Sequence, residues 1–139
     1  MHKQIYVNLP VADLPRSRAF FESLGLHFEP KFSNDQGACL VIEEGSIHAM
    51  LLTHDFFKTF TSKPVADATR STEVLVCLSC ESRAEVDALV QRALAAGGTA
   101  PRPPQDHGFM YAHGFEDLDG HSGSWSRWTR TRSRRPRAC

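Results

Sequence analysis

Seven histidines and four cysteines give this chain of 139 residues its widest chemical range, because imidazole and thiolate both bind metals and move protons near neutral pH. Their spacing narrows that range. No pair of histidines has the HExxH or H-x3-H helical spacing that binds zinc. His48 and His54 flank one apolar segment, and His107 and His113 flank another. The histidines leave open an unconventional centre at His54 and His113, or a general base at His113. Cys77 and Cys80 form a CxxC inside EVLVCLSC. A redox pair of this spacing opens a helix, whose dipole lowers the thiol pKa. Here the surroundings read as a strand, so these are expected to be ordinary strand cysteines. There is no serine-histidine-acid spacing, no glycine-rich phosphate loop and no carboxylate pair in the cleft expected below.

The formal charge of zero hides two unlike parts. All 16 acidic residues precede Gly120, whereas six of the 16 basic residues are arginines beyond residue 123. An acidic body is followed by a basic, tryptophan-containing tail, and the two parts are read separately. No apolar run approaches the roughly 18–20 residues that span a bilayer. The opening MHKQIYVNLP lacks the apolar core of a signal peptide. A cytoplasmic protein of one domain is the expectation.

The elements that must position these residues follow from periodicity. Gln4–Leu9 is β-branched and aromatic, a strand closed by Pro10. Asp13 is an N-cap, with Pro15 in the first turn of a helix that carries Phe20, Phe21 and Leu24 at helical spacing and stops at Gly25. Strands are expected at 27–32, 38–42 and 48–53. Residues 55–68 (DFFKTFTSKPVADA) read as a loop or short helix, with Phe56, Phe57 and Phe60 as a flap, a satellite cluster or a dimer contact.

The second half repeats the first. Glu73–Ser79 is a strand, and Ser82 with Glu85 is a capping box. Val86, Leu89, Val90, Ala93 and Leu94 form the apolar face of the helix, and Gly97-Gly98 stops it. Val7–Val11 matches Val76–Cys80 at an offset of 69. A repeated βαβββ unit is therefore predicted: an α+β fold of two tandem modules, residues 4–60 and 72–121, with curved mixed sheets around a cleft. Strand alternation aims Tyr6, Asn8, Ala49, Leu51, Thr53, Leu75, Cys77 and Ser79 one way. With Tyr111 and His113 they describe a mostly apolar cleft for a small organic molecule. The same residues could instead simply fill a core.

VNLPVADLPRSRAFFESLGL resembles the opening signature of the vicinal oxygen chelate superfamily, which includes glyoxalase I, bleomycin resistance proteins and extradiol dioxygenases. FEDLDGH, residues 115–121, resembles its closing turn. The resemblance covers residues 4–121 and implies the paired βαβββ architecture, usually as a homodimer. It also implies a divalent metal held by four strand residues. Position by position those fall on Tyr6, Leu51, Leu75 and Ser124, and leucine cannot ligate. The expectation is a metal-free protein with no cofactor. It would sequester a small molecule in the manner of the bleomycin resistance proteins. The alternative is a metal-dependent lyase, isomerase or dioxygenase.

In the family the closing turn leads into a last strand. Here Ser122–Trp128 reads SGSWSRW, poor in strand formers, and residues 122–139 are set apart as an atypical arginine-rich tail. Serine, arginine, proline and tryptophan are what GC-rich codons give out of frame. A frame shift after His121, leaving the second sheet one strand short, is the reading adopted. Nucleic-acid binding through the tail is the competing reading, and the acidic body opposes it.

Overall fold

The computed structural model describes residues 3–129. The first strand β1 (Ile5–Val11) runs into helix α1 (Leu14–Ser23), which Asp13 caps by accepting from the Arg16 amide. A short β2 (His27–Glu29) ends where Pro30 opens a 3-10 turn. Strands β3 (Gly37–Glu43) and β4 (Ile47–Thr53) form a hairpin, and Thr53 caps the one-turn helix α2 (His54–Lys58). The second unit has β5 (Leu75–Ser79), α3 (Arg83–Ala95), a two-residue β6 (Gln105–Asp106), β7 (Met110–Glu116) and β8 (Ser122–Trp128).

The two sheets have the same topology, β1-β4-β3-β2 and β5-β8-β7-β6. In each, the first strand lies parallel to the last and the other pairs are antiparallel. The expected pair of βαβββ modules is therefore present, and the offset seen in the sequence is structural. One apolar core joins the two units. Phe20 and Phe21 of α1, the C-capping Leu24, and Val86, Val90 and Ala93 of α3 meet the helix-facing side chains of both sheets. Gly98 makes one junction possible, since a Cβ there would lie 2.6 Å from the Glu116 carbonyl oxygen and 3.0 Å from the Phe20 ring.

The last strand corrects the sequence reading. Ser122–Trp128 forms β8, which lies inside its sheet and pairs with β5 on one side and β7 on the other. Low strand propensity is overridden by context. The backbone ladder is satisfied on both edges, and Trp125 is buried to 4% exposure with its ring stacked on Phe115 at 4.1 Å. The arginine-rich residues 130–139, on which the nucleic-acid reading depends, lie outside the described residues.

Candidate functional site

Register decides which side chains share a face. In the first sheet Tyr6 stands opposite His48, Asn8 opposite Met50, and Leu9 opposite Leu51. Tyr6, Asn8, His48 and Met50 thus occupy the outer face, away from α1. Leu51 points to the core with no exposure. The expectation that Tyr6, Asn8, Leu51 and Thr53 face one way is corrected. β1 and β4 lie in the register that sets Val11 against Thr53, so the odd-numbered positions of both strands face the helix. Thr53 spends its hydroxyl as a cap, accepting from the Phe56 amide at 3.3 Å.

The second sheet divides the same way. Leu75 and Cys77 lie on its outer face, opposite Ser122 and Ser124. Tyr111 and His113 stand opposite Arg127 and Trp125, on the face toward α3. The Tyr111 hydroxyl donates to Asp87 of that helix, and the Arg83 guanidinium sits 4.3 Å over its ring. That hydrogen bond, chiefly, pushes the phenol pKa up. His54 opens α2 after the first sheet, and His113 lies on β7 of the second. Of the ten residues read as one cleft, the structure keeps Leu75, Cys77 and Ser79 together in a groove. It leaves Tyr6 and Asn8 on the other sheet and turns Ala49, Leu51, Thr53, Tyr111 and His113 to the helix side.

That groove, about 1070 Å³, runs along the outer face of the second sheet. Its floor is made of small side chains: Cys77 and Ser79 from β5, Ser124 and Ser126 from β8, and Ala112 and Gly114 from β7. Their small size is what leaves the space. Ser124 donates to the Cys77 sulfur at 3.1 Å, and the Trp128 indole N–H donates to the Ser126 hydroxyl at 3.0 Å. Trp128 walls one end and the β3–β4 hairpin, through Ile42 and Ile47, the other. The groove can offer hydroxyl groups and an aromatic face, with charge confined to its rim at Glu43, Arg102 and Glu116. The serine row went unseen because those positions were read as a broken strand. Alternation of serine with glycine and tryptophan was the signal.

The CxxC is split between environments. Cys77 is exposed on the groove floor, whereas Cys80 is half-buried, its thiol pushed up to about 11 by burial and by nearby Glu85. Cys39 is buried, and burial also raises its thiol pKa. The three thiols are free.

The metal-ligand positions can be refined by the internal symmetry. Tyr6 stands to His48 as Leu75 stands to Ser122. Two residues on, Met50 is then the counterpart of Ser124, so the second ligand position belongs to Met50 and not to Leu51. Tyrosine, methionine, leucine and serine are a poor donor set for a divalent ion, which prefers imidazole and carboxylate in an open site. Among the described residues no three His, Cys, Asp or Glu side chains cluster as a metal site. His48 is 7% exposed, stacked on Tyr6 at 4.5 Å, and its Nδ1 has no partner. The residues present do not fit the family's metal.

Two tandem βαβββ modules, with a groove on a mixed sheet, define a paired-module α+β protein. Residues 3–122 match the model of the Glyoxalase/Bleomycin resistance protein/Dioxygenase superfamily, and the chain belongs to that superfamily. A hypothetical protein from S. aureus is similar in structure, with 27% identity, TM-score 0.76, and coverage of 91% of this chain and 95% of that one. A family enzyme from Burkholderia phytofirmans is 18% identical, with TM-score 0.76 and coverage of 92% and 100%. An antibiotic binding protein from Streptomyces is 16% identical, with TM-score 0.65 and coverage of 93% and 97%. No curated protein matches the chain in sequence. The family match ends at residue 122, although the strand it enters continues to Trp128.

Proposed function

We propose that this chain is a metal-free protein that binds a small organic molecule, with the groove on the second sheet as its binding surface. The observation that carries this reading is the groove floor. The positions where the family places metal ligands hold Leu75 and Ser124, and the neighbours are cysteine, serine, alanine and glycine. Such a floor supports binding by shape, stacking on Trp128 and hydroxyl hydrogen bonds. The structurally similar Streptomyces protein is described as antibiotic binding, which supports a ligand of that general kind. We further propose that the protein acts as a homodimer. Leu75, which lines the groove at 67% exposure, is the kind of apolar side chain a second copy would cover.

Metal analysis and fluorescence test the reading together. Trp128 is in the groove and Trp125 is in the core, so a groove ligand perturbs the emission of one tryptophan. We expect substoichiometric metal, and saturable quenching by a planar organic ligand that disappears in Trp128→Phe. One tightly held divalent ion per chain, needed for binding, overturns the proposal. Light scattering checks the dimer.

A further inference from the structure

Behind the groove, on the helix side of the same strands, lies a second cavity of about 240 Å³. It occupies the junction between the modules. Val7 and Ala49 come to it from the first sheet, Leu24 from the C-cap of α1, and Val76, Gly123 and Phe115 from the second sheet. Gly123 is a helix-facing position of β8 without a side chain, and the Phe115 ring lies across it, 2.9 Å from where a Cβ would stand. The rest of the wall is mostly aliphatic, with Phe21, Trp125, His48, Asp117 and His121 also lining it, and does not fill the gap. Exposed Ile5, Ile47 and Val74 surround the mouth.

Interiors pack nearly as tightly as organic crystals, so a void of this size between two well-packed modules is unusual. Of the polar side chains in its wall, Asp117 and His121 have bonds made, and the His48 Nδ1 is buried without a partner. Asp117 accepts from the amides of Asp119 and His121, both at 2.9 Å, and the His121 Nε2 is 2.6 Å from the Pro10 carbonyl oxygen. The His48 ring stacks on Tyr6 on the opposite face of the sheet. A charged guest would therefore give up its hydration for little more than one contact at His48, among walls that are mostly apolar. An apolar cavity of about 150 Å³ suffices for benzene.

We propose that this cavity is a binding site for a compact, uncharged, apolar molecule the size of a substituted single aromatic ring. It backs onto the groove through β5 and β8, and the two spaces share Ile42, Ile47, Leu78, Phe115 and Gly123 among their lining residues. The site does not depend on what the groove binds.

Toluene and its charged counterpart benzoate are the probes, read by methyl NMR and thermal unfolding of the full chain. Toluene should produce saturable shifts at the methyls of Val7, Leu24, Ala49 and Val76. At ten times its dissociation constant it should raise Tm by about 4 °C. Benzoate should do neither. Val76→Phe, which fills the space, should weaken toluene by at least about tenfold while leaving the Trp128 response of the groove intact. Ala49→Val is a milder filling variant with the same expected direction should Val76→Phe fold poorly. Shifts that are absent or never saturate, or that centre on Leu75 and Met110 in the groove, overturn the proposal. So does a toluene affinity that both filling variants leave unchanged.

Discussion

The imidazole Nε2 of His121 lies 2.6 Å from the carbonyl oxygen of Pro10, a contact between residues 111 positions apart. It ties the turn before β8 to the end of β1. Asp119 strengthens the tie, accepting from the Ala12 amide at 2.8 Å and from the Ser17 hydroxyl at 3.2 Å. Gly120 lets the turn approach, with φ +83°, and a Cβ there would lie 2.9 Å from the Ala68 carbonyl oxygen. The FEDLDGH motif is thus a clasp that holds the second module against the entry to α1.

Removing the clasp should loosen the modules. Asp119→Ala leaves the buried Ser17 hydroxyl unpartnered and should cost about 2 kcal/mol. Asp119→Asn keeps an acceptor and should cost less. Urea unfolding measures both, and equal stability of the three proteins would sink the clasp as a stabilising device.

Much of the fold was legible because local rules and the repeat agreed. Asp13 and Ser82 cap the helices as their spacing implied, and each helix meets the core through the face its periodicity marked, except that Leu94 of α3 is exposed. The site was less legible because it depends on register between strands about forty residues apart. Nothing in β1 alone says that Tyr6 stands against His48 and not against a neighbour. A one-residue error flips every side chain, which is how Leu51 came to be read as lining a cleft. Tyr111 and His113 failed for the same reason, since the alternation of β7 is fixed by its pairing with β8. That strand itself was misread because Ser and Gly are penalised by propensity, while Trp125 alone secures its inner face.

Trp125 should therefore matter far more than Trp128. Trp125→Ala removes a buried ring stacked on Phe115 and should cost about 3–5 kcal/mol. Trp128→Ala, at a residue 54% exposed, should cost under about 1 kcal/mol. Parallel denaturation curves check the pair. Equal costs would mean that β8 is not the central strand described.

The three described thiols should label in a fixed order. Cys77 is exposed on the groove floor, Cys39 is buried, and the Cys80 thiol is pushed up to about 11, so it remains protonated at pH 8. Thiolates are the reactive form. With limiting iodoacetamide at pH 8, peptide mapping should find Cys77 modified well before Cys39 and Cys80. Denaturant should erase the difference. A Cys77–Cys80 disulfide under air would contradict the split environment, and preferential labelling of Cys80 would refute its burial.

Asp117 links stability to pH in a direction opposite to that of most carboxylates. It is buried, and burial, the largest influence, raises its pKa above the usual 3.8 despite opposing help from His121 and two amides. Below the unfolded value the carboxyl is protonated in both states, and burial then costs nothing through ionisation. As pH rises from 3.8 through the raised folded value, the unfolded chain releases its proton first. Stability from this group therefore falls across that window and stays low above it. Asp117→Asn keeps an acceptor for the amides of Asp119 and His121 but has no proton to lose. Its stability relative to the parent protein should rise between pH 3.5 and pH 7. Urea midpoints of the two proteins at both pH values measure this, and a relative stability that is flat or falls over that range would show that the buried carboxylate is not penalised.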